Sequence, residues 1–204
     1  MGITPQQFAQ MNDRLRGRRR VAEPVFDSSY RPAGTRVKDQ IILGLDPSMR
    51  GTGYGIVRMI HPQPVALAHG TIRCPPAWEH SRCLVLIAQG LREVIRKYHP
   101  TVCAVEGLFF AQNLQTAILM GEARGAGLVA AGEAGLEIYE MAPRKVKQAI
   151  VGYGAAQKLA VSKMVQRLLK LAEPPEPDAA DALALALAYA QEAGRFAPGA
   201  PKRV

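Results

Sequence analysis

Ile41-Ile42-Leu43-Gly44-Leu45-Asp46 is an apolar run that ends on a single carboxylate, and Pro47-Ser48-Met49-Arg50-Gly51-Thr52-Gly53-Tyr54-Gly55 follows at once. A short continuous apolar run of this kind reads as a strand buried on both faces. Such a strand delivers one acid into a Gly-rich turn, where it is hard to solvate unless something cationic meets it. A second apolar run, Val102-Cys103-Ala104-Val105, also ends in an acid, Glu106. Asp178 and Asp181 open an alanine-rich stretch near the end of the chain. Their i, i+3 spacing puts them on one helical face. Three separated segments, each presenting an acid at an element end, point to a carboxylate cluster for divalent metal. Hard cations favour oxygen ligands, and clustered carboxylates raise one another's pKa values unless an ion sits among them.

Each acid also has a structural reading. Asp46 before proline could cap a turn, and Glu106 could be a solvated strand end. Asp178 could be a helix N-cap, and Asp181 a first-turn acid that favours the helix dipole. The combination, more than any member, carries the functional reading.

Working outward, Tyr54–Ile60 and Val65–Arg73 read as two further strands, which with the first make an antiparallel meander. Glu79–Tyr98 has apolar residues at helical spacing, and His99-Pro100 ends it. Val102–Glu106 is a fourth strand, Leu114–Ala134 a Gly- and Ala-rich helix, and Glu137–Met141 a fifth strand. Pro143 opens a short helix, Ala155–Leu171 is amphipathic, and Asp178–Ala193 is the last helix. The expected fold is therefore α/β: a five-stranded mixed sheet, meander first and then alternating strands and helices, with helices on both faces. If the first and fourth strands lie side by side, Asp46 and Glu106 fall at neighbouring ends.

The 204 residues suit one domain with tails, and 48% hydrophobic content suffices for a core. Residues 1–40 stand apart, with eight basic and four acidic residues and little to bury. They read as a disordered basic arm, with a domain over 41–193 and a flexible tail over 194–204. The arm could add non-specific DNA affinity, or be an unselected extension; Asp13, Glu23 and Asp27 weaken a transit-peptide reading. No long apolar span and no signal-peptide core occur, so the expected partners exclude membrane and the expected compartment is the cytoplasm. Cys74, Cys83 and Cys103 lack metal-ligand spacing and read as reduced thiols. Lys and Arg exceed Asp and Glu by 26 to 17, for a net charge of +9, which favours a polyanion partner and nucleic acid first. A carboxylate cluster on such a chain suggests phosphodiester chemistry.

Six stretches then fall in register: Asp46-Pro47 with Thr52-Gly53-Tyr54-Gly55; Glu106-Gly107-Leu108-Phe109-Phe110-Ala111-Gln112-Asn113; Gly121-Glu122-Ala123-Arg124-Gly125; Ala142-Pro143-Arg144-Lys145-Val146-Lys147-Gln148; Val151-Gly152-Tyr153-Gly154; and Asp178-Ala179-Ala180-Asp181-Ala182-Leu183-Ala184. With this order of elements, residues 41–192 resemble the RuvC family of crossover (Holliday) junction endodeoxyribonucleases, within the ribonuclease H-like superfamily. The resemblance implies a homodimer that cuts four-way DNA junctions with Mg²⁺, two ions per site with Mn²⁺ as a substitute, nicking two strands of like polarity symmetrically. It implies Asp46, Glu106, Asp178 and Asp181 as catalytic metal ligands. Asp46 would bridge both ions, Glu106 would complete the leaving-group side, and the two later aspartates would hold the ion on the water side. Phe109 matches an aromatic at the junction core, where stacking on an unpaired base is worth roughly 1–3 kcal/mol. Lys147 and Lys158 match residues that approach the DNA backbone, with Arg144 and Lys145 as lesser phosphate contacts. Leu114–Ala134 matches the dimer-forming helix, and a branch-migration helicase complex of RuvA and RuvB type is the implied partner.

Two positions depart from the family pattern. Ser48 stands where glycine is usual, and would be strained if that turn needs positive φ. Gln112 stands where lysine is common. Another ribonuclease H-like nuclease, or a non-catalytic junction-binding module, remains an alternative reading.

Overall fold

The computed structural model describes residues 40–60, 63–107, 113–193 and 202–204, all within one compact unit, Gly34–Val204. The arm expected over 1–40, except Gln40, lies outside the described residues, as do Phe109, Phe110, Gln112 and residues 194–201.

Strands β1 (Ile41–Asp46), β2 (Gly51–Arg58) and β3 (Val65–Arg73) form the expected antiparallel meander. Helix α1 (His80–Tyr98) follows and ends where His99 turns left-handed at φ 48° ahead of Pro100. Then come β4 (Val102–Glu106), α2 (Leu114–Glu133), β5 (Glu137–Met141), α3 (Pro143–Val151), α4 (Lys158–Leu169) and α5 (Pro177–Ala193). The Asn113 side chain caps α2 by accepting from Thr116 N at 2.9 Å. The sheet runs β3-β2-β1-β4-β5 and then a sixth strand, β6 (Lys202–Arg203).

Three details differ from the sequence reading. Among the described residues the strand count is six, because Lys202 and Arg203 pair antiparallel with Glu140 and Tyr139. An Arg203–Glu137 ion pair at 3.2 Å fastens that edge. Nothing in a two-residue polar segment signals a strand by itself; its partner edge makes it one. Next, β2 begins at Gly51, since Gly51, Thr52 and Gly53 are in ladder register with Arg73, Ile72 and Thr71. Finally, α4 starts at Lys158, because Gly152, left-handed at φ 98°, caps α3 and the chain turns before Gln157.

Alternation along the strands builds two cores. Ile42, Val57, Val102, Ala104 and Met141 face α3, α4 and α5. Leu43, Leu45, Ile56, Cys103 and Val105 face α1 and α2. Helix α5 is buried along most of its length, from Ala179 to Ala190, so its leucines contribute about 1.5–3 kcal/mol each by burial. Its alanines serve another end. A Cβ placed on Gly44 would collide with the Ala182 carbonyl, and one on Gly53 with the Asp178 carbonyl. The glycines of β1 and β2 therefore let the α5 backbone lie directly on the sheet.

Candidate active site

β1 and β4 are parallel neighbours, with Leu45 opposite Val105. The next residues, Asp46 and Glu106, thus sit at the same end of the sheet. Period-2 alternation turns both toward α5, the side that Ile42, Val102 and Ala104 occupy. The first turns of α5 bring Asp181 to the same place. Asp46, Glu106 and Asp181 share one cleft with Lys147 of α3 and Lys158 of α4, walled by Pro143, Val146 and Val161.

The electrostatics follow from crowding acids in a partly dry cleft. Burial, reinforced by the charges of Glu106 and Asp181, pushes Asp46 up to about 8. Burial also raises Glu106, and Asp181 adds to the effect. Asp46 and Glu106 hydrogen-bond to each other, which two carboxylates do when they share a proton. Lys158 Nζ lies 2.9 Å from Asp181 Oδ2. That hydrogen bond and the Asp181 charge raise the lysine, with smaller contributions from Asp46 and Glu106.

Asp178 takes a separate position. Its carboxylate lies over Gly51, where an added Cβ would stand 2.8 Å from Oδ2, and it does not line the cleft. Sharing a helical face with Asp181 thus carries Asp178 toward the start of β2 and Asp181 toward the end of β1. Among the described residues no three His, Cys, Asp or Glu side chains are drawn together closely enough to form a metal-ligand group. The side-chain pairings give the physical reason: Asp181 is turned to Lys158, and Asp46 to Glu106. The donor set nevertheless fits a divalent cation. It consists of hard carboxylate oxygens, two of them with raised pKa values, in a partly desolvated cleft that attracts positive charge.

Arg144 does not line the cleft; it is exposed and packs against Gly154. Phe109 falls outside the described residues. Ser48 is not among the residues with positive φ, so the turn after Asp46 tolerates serine without left-handed strain. Buried Thr52 stitches it, donating to Ser48 O at 2.7 Å and accepting from Ser48 N at 3.2 Å. Arg50, unremarkable in sequence, anchors the same loop by donating to the carbonyls of Pro75 and Trp78 at 2.8 and 3.1 Å. Cys74, Cys83 and Cys103 are all buried.

Residues 42–189 match the family model described as crossover junction endodeoxyribonuclease RuvC. The chain belongs to the RuvC family. A RuvC of Akkermansia muciniphila is 47% identical over 148 residues, 72% of this chain and 89% of that protein. One from Rubrobacter xylanophilus is 46% identical over 158 residues, 77% of this chain and 88% of its own length. Among solved structures, T. thermophilus RuvC in complex with Holliday junction substrate superposes with TM-score 0.75 at 35% identity, covering 81% of this chain and 99% of that one. The yeast mitochondrial Holliday junction resolvase Ydc2, at 12% identity and TM-score 0.52 over 77% of this chain and 82% of its own, shares the fold. The six-stranded mixed sheet between two helical layers is thus the RuvC form of the ribonuclease H-like fold. RuvC nucleases depend on divalent metal, and the acid cleft lies inside the matched region. No helix among the described residues is long and apolar enough to cross a membrane.

Proposed function

We infer that this RuvC-family chain is an endonuclease that resolves Holliday junctions in recombination and repair, nicking two strands of like polarity with a divalent metal. The observation that carries this reading is the convergence of Asp46, Glu106 and Asp181 in one cleft, from three separate elements, inside a family match over residues 42–189. Asp46, Glu106 and Asp181 would hold the metal, with Asp178 joining from the next turn. The ion is Mg²⁺, two per site, with Mn²⁺ as a substitute. When bound, such ions supply Lewis-acid stabilisation of the charge that develops on the phosphate and the departing 3′ oxygen.

The residues themselves do the rest. Lys147 and Lys158 set two ammonium groups at the cleft, where a backbone phosphate would come to rest, and Lys158 already holds one carboxylate. Arg144, exposed on α3 outside the cleft, would add a phosphate contact farther along the backbone. Phe109 would stack on an unpaired base at the junction centre. On α2, Leu114, Ile118 and Val129 are 77%, 52% and 52% exposed. They fall at helical spacing with Gly121 and Gly125, beside which the protomer leaves open space. An apolar stripe with close-approach glycines favours a homodimer through α2, which would set two equal sites on a near-symmetric junction. The basic arm at 1–40 would add sequence-independent affinity. A branch-migration motor of RuvA and RuvB type is the proposed partner, and the cytoplasm the proposed compartment.

Cleavage of a labelled four-way junction in Mg²⁺, beside a linear duplex and an RNA–DNA hybrid of the same sequence, tests the reading. Paired nicks in the junction alone are expected. Cleavage of the hybrid instead would move the activity to another branch of the superfamily, and tight junction binding with no cutting would make the chain a binding module.

A further inference from the structure

We propose that Arg124, on the face of the sheet opposite the acid cleft, is a positioning residue that fixes Glu106 through its backbone; the inference rests on the nuclease reading above. Arg124 is only 7% exposed, in the middle of α2. Its Nη1 donates to the Glu106 carbonyl at 2.7 Å, and its Nη2 to Glu140 Oε2 at 2.6 Å. Both are short, charge-assisted bonds from one planar fork.

The Glu106 carbonyl needs such a donor for a reason written in the sheet. Gly107 N bonds Met141 O across to β5 at 3.0 Å. Alternation then turns the backbone groups of Glu106 the other way, toward β1. Continuing the β1–β4 register by one step from Leu45 and Val105 sets that carbonyl against residue 47. Residue 47 is proline and has no N–H to give. The proline that turns the chain after Asp46 thus deprives the neighbouring catalytic strand of its last ladder bond, and Arg124 replaces it from below. An unanswered, partly buried carbonyl at that point would leave the strand end free to fray.

Glu140 holds the guanidinium in place. It lies one residue before Met141 on β5 and faces α2 by the same alternation that turns Met141 toward α5. It also neutralises a cation that burial would otherwise penalise. The arrangement therefore ties three things at one point: the strand end bearing Glu106, the neighbouring strand, and the helix proposed to form the dimer. A shift of α2 on dimerisation would be felt at Glu106 through Arg124.

The competing interpretation is a buried ion pair that stabilises the core and nothing more. Arg124→Met keeps length and removes charge and fork; Arg124→Lys keeps the charge with a single donor site. Arg92→Met is the control, since Arg92 of α1 pairs with Glu133 at the far end of α2, where both side chains are exposed. Mn²⁺ binding is titrated on protein alone by electron paramagnetic resonance, junction affinity is measured in Ca²⁺, and single-turnover cleavage in Mg²⁺ at saturating protein. Removal of groups that orient metal ligands costs about 10–100-fold in affinity or activity. Arg124→Met should therefore weaken Mn²⁺ binding and slow cleavage by about 10-fold or more, with junction affinity unchanged and Arg124→Lys falling between. Arg92→Met should match the wild type throughout. A folded Arg124→Met that binds Mn²⁺ and cuts like the wild type, with only a lower melting temperature, would overturn the proposal. If Arg124→Met does not fold, wild-type metal binding and cutting by Arg124→Lys would overturn it equally. Failure of the wild-type protein to cut any junction would instead sink the nuclease reading, and the two failures are read from different samples.

Discussion

Gly44 of β1 lies directly under the Ala182 carbonyl of α5, so closely that no Cβ fits between them. That contact sets the height of α5 above the sheet, and hence the place of Asp181 one residue earlier. Gly44→Ala must lift the helix or bend the strand. Forced overpacking costs about 1–3 kcal/mol and occasionally more, and here the obstacle is backbone, which cannot rotate aside. Urea unfolding should show a loss at or above that range. Cleavage at permissive temperature should fall further than the unfolded fraction explains. Wild-type stability would show that α5 does not rest on Gly44.

The raised Asp46 has a consequence for stability. Its carboxyl titrates near 8 in the folded chain against an ordinary 3.8, so between these values the folded state binds more protons than the unfolded state. Stability of the metal-free protein therefore falls as pH rises through that window. Glu106, also raised, adds to the same slope. Thermal melts in EDTA from pH 5 to pH 8.5 should show a falling midpoint, and Asp46→Asn should flatten the trend and melt above the wild type at pH 8. Mg²⁺ should restore the wild-type midpoint at high pH, because the proposed site would bind it only in the folded state. A flat wild-type profile in EDTA would remove the shared-proton picture.

Lys158 stands 2.9 Å from Asp181 with its side chain 78% exposed, so its value to folding is small. Its place at the cleft is the ground for the proposed role in cleavage. Lys158→Met should lower single-turnover cleavage by about 10²-fold, the range for loss of one charge-stabilising donor, and change the melting midpoint little. Equal cleavage by the variant would return Lys158 to an ordinary surface ion pair.

The α2 stripe gives an association test. Ile118 is 52% exposed in the protomer, so Ile118→Glu should leave the fold intact yet oppose a dimer that buries this face. Sedimentation should show a shift from dimer to monomer, with helical content preserved. Junction products should change from paired to single nicks. A dimer that survives the substitution would place the interface elsewhere.

The placement of the candidate acids was legible in the sequence because Asp46 and Glu106 close apolar runs and Asp178 and Asp181 open a helix. The runs ending at Asp46 and Glu106 fix two strand ends, and the alanine-rich stretch after Asp178 marks a helix. What single elements do not reveal is their neighbours. Gly44 read as one residue of a buried strand and Gly53 as turn chemistry, whereas the structure uses both as a flat bed for α5. The different headings of Asp178 and Asp181 depend on where α5 crosses the sheet, which helical spacing alone does not specify. Arg124 sat among small residues of a helix, and only the register of β1 and β4 places it against a carbonyl that Pro47 leaves unpaired. Its one sequence signal was a charge on an otherwise Gly- and Ala-rich helix. β6 gave no signal, since its pairing belongs to the edge of β5.

The most direct test of the central claim is to measure junction binding and Mg²⁺-dependent cutting side by side for the wild type and Asp46→Asn. The carboxylate that the sheet, Glu106 and Asp181 all converge on should be dispensable for holding the junction and indispensable for cutting it. Binding within about twofold, with cleavage lower by about 10³-fold or more, is the result expected for loss of a metal-holding group that acts together with its neighbours. Undiminished cutting by Asp46→Asn would contradict the metal site itself.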